Sequence, residues 1–555
     1  MKRAKKSVVF LLALAVSLGT INLVACHLDE EEVDESKTQF YIGNFDGGYG
    51  HEWLDKAIEG FETKFADTSF ESGKKGVQIW VVNQKDEYTG YQFYKTISDM
   101  QQSLFFTAQP RQEILDGNLI VPLDDIMDEP LTEFGESKTI REKLSSYYQD
   151  AYDMENVTFL PMSEAYFGNC VYDIDLFESK EFFFKEGGGW TSGLANDKTA
   201  GLDGVKGTYD DGLPITETDF FNLLAKIYAK GVTPLTFAGQ YGAYMNAWCF
   251  NIFCNYDDGV GQKIYNTLEG EYVLYGDTEP TTFDGTNLYD AQRLPGRLKA
   301  LECAYKLVKN PNNYSSEAFK STQSQIQSQD EYLLSVDAAS HGKKQIAMLI
   351  EGTWWENEAL DTFNRMANSN ENHSKNNRRF GLMPTFRHSA GTATKSTFLA
   401  ANQMMFINAN STDEQIGVAK KFIQYVCTDE MLEMFTATTG CPSAYEYKIG
   451  QDTYNSLSNF GKNVWEIHEN ANDKFVIVTE NRTSKAYYYS QENYPQNFES
   501  NVNVKGEEKG GATNPFTFFK YDTKNATAKD YFDGIYDVAC VKYDKRYASE
   551  FGARK

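Results

Sequence analysis

The sequence predicts an α/β protein built as two or more large lobes. A strand, an amphipathic helix and a second strand follow one another over residues 38–82, the order of a βαβ unit. Short apolar runs and helical spacing keep alternating well beyond that unit. With 555 residues, 41% hydrophobic and 14% aromatic, the chain holds enough apolar material for more than one core.

At the N-terminus, four of the first six residues are Lys or Arg, and an apolar run over 8–18 follows, broken only by Ser17. The run is too short for a comfortable membrane span, which needs about 20 residues. Leu23-Val24-Ala25-Cys26 then places small residues before a cut. This is the order of a secretory leader over 1–25. Residues 26–37 are strongly acidic and read as a solvated tether.

The body begins with a strand over 38–44 and a Gly-rich loop, Asp46-Gly47-Gly48-Tyr49-Gly50. Trp53, Leu54, Ile58, Phe61 and Phe65 have helical spacing over 52–65, and 76–82 is a strand. The Gly-rich loop lacks a dinucleotide fingerprint, but it suits any ligand at the edge of a lobe. A helix over 94–101, a strand over 103–106 and a short helix over 110–116 follow. A new set of elements starts near 159–162, with a strand over 169–172 and a turn over 173–177. Residues 181–212 read as an inserted loop. Thr216 or Thr218 caps a helix over 220–229. Residues 257–294 are turn-rich and read as a surface insertion with hairpins. Helices are expected over 298–308 and 335–341, and a strand over 345–350. The strand over 403–407 precedes helices over 416–427, capped from Thr412, and 430–437, ended by Gly440. Further helices are expected near 453–459, 464–470 and 528–547.

A net charge of −26 argues against nucleic acid, whose phosphates need Lys/Arg patches, and against capture by anionic membranes. Beyond Cys26 the seven cysteines, among them Cys540, are an odd number and do not form a small disulfide scaffold. They read as buried small apolar residues. No cofactor or metal is expected: the histidines are scattered, and Cys249 and Cys254 lack a second pair.

Several segments, in order, resemble the extracellular solute-binding protein family 1, the maltose-binding type of ABC sugar importer lipoprotein. They are Phe61-Glu62-Thr63-Lys64-Phe65; Leu160-Pro161 with 172–177, where Asp173 replaces the usual Asn; 342–348 with Gly352-Thr353-Trp354; Met383-Pro384; 419–423; and Thr439-Gly440-Cys441-Pro442. They cover about residues 38–450, and the region beyond matches loosely. The resemblance implies a two-lobe periplasmic-binding-protein-like (type II) fold with a hinge. Lobe 1 would take 38–155 plus 386–437, and lobe 2 would take 156–385 plus 438–555. It also implies a lipobox with a lipid anchor at Cys26 and a place on the extracellular face of a bacterial cell membrane. The implied partners are a sugar, most simply an oligosaccharide, and the transmembrane subunits of an ABC permease.

A sugar presents apolar C–H faces and hydroxyl edges, so its site needs aromatic platforms and planar polar groups. The loops where strands leave lobe 1 offer Asn44, Phe45, Asp46, Tyr49, Trp53, Phe106 and Gln109. The resemblance adds Glu164 at the crossing, Tyr241, Tyr244 and Trp248 after Gly239-Gln240, and Trp354 as the stacking ring. Asn402 precedes the strand that re-enters lobe 1. Trp53 and Trp355 also suit core packing. Two other classes compete: a surface glycan-binding lipoprotein without an importer, and a secreted glycoside hydrolase. The hydrolase would need two carboxylates flanking one bond. No motif nominates such a pair, and the chain is expected not to be an enzyme.

Overall fold

Two sheets carry the fold. The computed structural model describes residues 32–535, apart from 86–87, 89–92, 94–95, 108–117, 153–155, 268, 285–287, 339–341, 402, 471–473, 478–497 and 499. The leader over 1–25, Cys26, the helix over 110–116, Gln109, Asn402 and Cys540 lie outside the described residues.

The first sheet takes β1 (Thr38–Phe45), β2 (Val77–Gln84), β3 (Leu104–Thr107) and β4 (Leu160–Pro161). The second takes β5 (Ala165–Asp173), β6 (Thr233–Thr236), β7 (Ile346–Gly352), β8 (Phe380–Met383) and β9 (Ser396–Ala401). β10 (Met404–Ile407) then returns to the first sheet and β11 (Lys474–Ile477) to the second. The orders are β2-β1-β3-β10-β4 and β11-β9-β5-β7-β6, with β8 also paired to β5.

α1 (Glu52–Lys64) connects β1 to β2, which pair in parallel from Thr38↔Val77 to Phe45↔Gln84. Trp53, Leu54, Ala57 and Phe61 form its buried face, and Glu52, Asp55 and Lys64 suit the helix dipole. Trp53 packs edge-on to Phe106 and Phe435, each ring centroid 5.2 Å away, so it belongs to the core.

The turn expected over 173–177 opens a helix instead, α2 (Ile174–Lys180). Asp173 starts it by accepting from the Leu176 N–H at 3.0 Å. The same carboxylate pairs with Arg378 at 2.8 Å, and both side chains are buried. α3 (Glu217–Ala229) has Thr216 as its cap, with Asp219 closing a reciprocal box. α4 (Gly242–Cys254) has no counterpart among the expected elements. Its residues 245–254 are all buried, so it presents no amphipathic stripe to read.

α5 (Pro295–Lys309) and α6 (Gln325–Ala338) cover the second sheet's region, and α7 (Trp355–Glu358) follows β7. The 257–294 insertion holds the antiparallel hairpin Glu269–Val273 with Pro280–Asp284. α8 (Asp413–Val426), capped by Thr412 with Gln415, and α9 (Asp429–Thr439) pack on the first lobe. α10 (Asn459–Glu469) and α11 (Pro515–Tyr521) close the described chain with a helical stretch over 528–535. Among the described residues no helix is long and apolar enough to cross a membrane, and six cysteines are buried and unpaired.

Gly440 ends α9 at φ +71° with open space around its Cβ position. Gly440→Ala is therefore expected to cost only the left-handed strain, about 1 kcal/mol. A urea titration measures it, and a loss several times larger would show an unseen packing constraint.

Two crossings join the sheets, 162–164 and the segment at Gln403, and residues 442–443 pack against the first of them. The Met162 N–H donates to the Gln403 carbonyl at 2.7 Å, and the Gln403 N–H to Ser163 Oγ at 2.9 Å. The Glu164 N–H donates to the Pro442 carbonyl at 2.9 Å. The return to lobe 1, expected at 386, falls at Gln403. Leu399–Ala401 of β9 still pair with β5, which holds that strand in the second sheet.

Candidate functional site

The two sheets meet at their crossing edges. β1 ends at Phe45 and β7 at Gly352, both beside these crossings, the edge at which open α/β sheets take ligands. The loop over 46–50 lies directly on Trp354. A Cβ on Gly48 would stand 2.4 Å from Trp354 Cγ, so only glycine allows this approach.

Four half-buried aromatic rings line the junction. Tyr49 of lobe 1 faces Trp354 of lobe 2 at 6.2 Å and 66°. Trp354 lies over Phe167 at 5.3 Å and 36°, and Phe167 meets Tyr244 edge-on at 5.1 Å. The rings keep open surface, unlike the neighbouring Trp355, which is fully buried against Phe380 and Phe363.

A polar network underlies the rings. Gln329 Nε2 donates to Glu351 Oε1 at 2.6 Å and to Glu358 Oε2 at 2.8 Å. Glu358 also lies near the Gly48 N–H and the Trp354 side chain, with Lys85 as the facing positive charge. Burial pushes the Glu351 carboxyl well above the usual carboxylate range, and the charge of Glu358 pushes it further. Burial also raises Glu358, with Gln329, Lys85 and the Gly48 N–H pulling it back. The Tyr244 phenol is raised by burial and then by these two carboxylates.

A raised carboxyl means the folded chain keeps a proton that the unfolded chain has released. That contribution is full below the unfolded value and is lost as pH rises through the folded one. Glu351→Gln is therefore expected to raise the melting temperature at about pH 8 and to flatten its fall between about pH 5 and 8. Melting curves across that range check it, and an unchanged slope would mean Glu351 is not the group that titrates.

The other expected residues fall into distinct places. Glu164 is fully buried at the 162–164 crossing; it accepts from Tyr166 Oη at 2.6 Å and contacts His468 Nδ1 at 3.2 Å. Asn44 is buried too, donating to Asn83 Oδ1 at 2.8 Å and accepting from Gln403 Nε2 at 3.0 Å. Phe45 and Asp46 are half-buried at the loop, where Asp46 contacts His51 at 3.3 Å. Tyr241 caps α4 and is 44% exposed. Phe106 and Trp248 are core side chains instead of surface platforms. Phe106 packs on Trp53 and Phe422, and Trp248 on Phe220, Phe386 and Phe516. Trp248 turns inward because α4 is buried on every side there. Phe167, Gln329, Glu351 and Glu358 are absent from the expected set. Phe167 directly follows the crossing at 162–164, a position that could have nominated it, whereas only tertiary packing brings Gln329 to the two glutamates.

Solved structures of similar fold cover nearly the whole chain. RafE from Streptococcus pneumoniae in its apo form is 14% identical, with a TM-score of 0.53 over 92% of this chain and 100% of that one. A chitin oligosaccharide binding protein is 13% identical, with a TM-score of 0.54 over 92% and 99%. A structure from a study of xylan utilisation by Caldanaerobius polysaccharolyticus is 11% identical, with a TM-score of 0.56 over 90% and 99%. The fold is the two-lobe, periplasmic-binding-protein-like one. No family model matches the chain, and no curated protein matches it.

Proposed function

We propose that this chain is the sugar-binding lipoprotein of an ABC importer, capturing an oligosaccharide between its lobes and handing it on unaltered. The observation that carries this reading is the ring set Tyr49, Trp354, Phe167 and Tyr244 at the crossing edge, with the Gln329-bonded Glu358 carboxylate nearby. Ring faces suit the C–H faces of a pyranose, and a carboxylate or phenol suits its hydroxyls. RafE in complex with raffinose and the chitin oligosaccharide binding protein share the fold, which supports a carbohydrate ligand. Glu351 is fully buried and shares Gln329 with Glu358, so this pair does not flank an exposed bond, which supports binding over cleavage.

The basic start, apolar run and Leu23-Val24-Ala25-Cys26 support cleavage and lipidation at Cys26, on the outer face of the cell membrane. Tyr241, Phe45 and Asp46 belong to the proposed rim. Calorimetric titration against a panel of oligosaccharides tests the ligand, with chromatography of the mixture afterwards. One class of sugar should bind and be recovered whole. Binding by no sugar, or the appearance of shorter products, would overturn the reading.

A further inference from the structure

A second cavity lies in lobe 2, between the segment over 314–322 and α11. It encloses about 570 Å³, within the range of small-molecule sites, roughly 300–1,000 Å³. Its walls are ring faces, hydroxyls and two ammonium groups, among them Tyr314, Phe319, Tyr521, Thr322 and Lys520, with Lys320 paired to Glu317 at 2.5 Å. Tyr521 is 61% exposed and offers an open aromatic surface.

Lys520 is held in an unusual way. Its ammonium donates to Tyr314 Oη at 2.9 Å and stands 5.0 and 5.2 Å from the ring centroids of Tyr314 and Phe319. Tyr314 Oη itself donates to the Val308 carbonyl at 3.0 Å, which fixes it as the acceptor for the lysine. Lys520 forms no ion pair with a carboxylate among the described residues, in a chain with 79 acidic and 53 basic side chains. An ammonium has three N–H groups, and only one is committed here. The charge is therefore aimed and unneutralised. The pocket is also preformed: a Cβ on Gly239 would meet the Ala318 carbonyl at 1.9 Å, so the two walls already touch.

From this geometry we propose that the cavity is a second, separate binding site for an acidic sugar. Its carboxylate pairs with Lys520 while its ring lies against Tyr521 and its hydroxyls reach Thr322 and Thr517. An ammonium without a carboxylate partner selects the carboxylate, and the ring faces select a sugar over a bare anion. The site is independent of the cleft and stands even if the cleft takes another ligand.

A galacturonate disaccharide is the probe, titrated by calorimetry into the full chain, with cellobiose and inorganic sulfate as comparisons. The disaccharide should bind, and Trp354→Ala should leave that binding unchanged. Lys520→Met should weaken it at least tenfold while Lys520→Arg retains most of it, and Tyr521→Ala should weaken it several-fold. Added salt should also weaken it. Loss with Trp354→Ala and not with Lys520→Met would put the probe in the cleft and overturn the proposal. So would absence of binding, equal binding of cellobiose, or sulfate binding as tightly as the sugar. Circular dichroism of each variant confirms that the fold is retained.

Discussion

Trp354→Ala is expected to weaken binding of the cleft's sugar at least tenfold, about 1.4 kcal/mol, with little change in melting temperature. The indole is half-buried and tilted over Phe167, and the Gly48 loop approaches it at its Cβ–Cγ end. A ring fixed in this way loses little freedom when a ligand lies on it, and removing it removes both contact area and preorganisation. The cost to the fold is small because Trp354 is not a core residue. Its contacts with Tyr49 and Phe167 are worth about 1 kcal/mol each at most. Calorimetry and thermal melts on the same sample check both halves. An unchanged affinity would remove Trp354 from the site. A collapse in melting temperature would make it a core residue like Trp355.

Arg378→Met is expected to cost about 3–5 kcal/mol of stability, because it leaves Asp173 charged and buried without its partner. Asp173 and Arg378 meet at 2.8 Å where β5 runs into α2 and β8 begins, and Arg378 also lies over the Phe380 ring at 4.8 Å. Burial lifts the Asp173 carboxyl above its ordinary value, and Arg378 and the Leu176 N–H pull it back. Adding Asp173→Asn to the Arg378→Met variant should recover much of the loss. Asparagine keeps the cap on α2 and buries no charge. Urea titrations of the two single variants and the double variant measure the coupling. If the double variant is as unstable as the sum of the singles, the pair is not coupled and the cost comes from lost packing.

The parts of the fold legible from the sequence are those specified locally. The first βαβ unit shows its strand, its helical stripe and its second strand within residues 38–84. Thr216 and Thr412 announce their helices through boxes completed three residues on, by Asp219 and Gln415. What escaped depends on contacts distant in sequence. The α2 start at Asp173 is the exception: its cap on the Leu176 N–H is local, but residues 173–177 alone resemble a turn. α4 has no polar face to give it a period, so Trp248 could not be assigned inward. In the site, Trp354 follows a recognisable strand, but Tyr244 belongs to the unexpected α4, and the Gln329–Glu351–Glu358 network joins residues that have no motif in common. Glu164 has the expected place in the chain, where it is a fully buried acceptor for Tyr166.

The central claim is that the two lobes close on a carbohydrate and release it intact. Small-angle X-ray scattering of the protein, with and without the oligosaccharide that binds in calorimetry, tests it most directly. Recovery of that sugar by chromatography completes the measurement. Tyr49 and Gly48 against Trp354 predict a more compact particle when the sugar is bound, and a sugar recovered unchanged. Identical scattering at full occupancy, or a cleaved sugar, would contradict it.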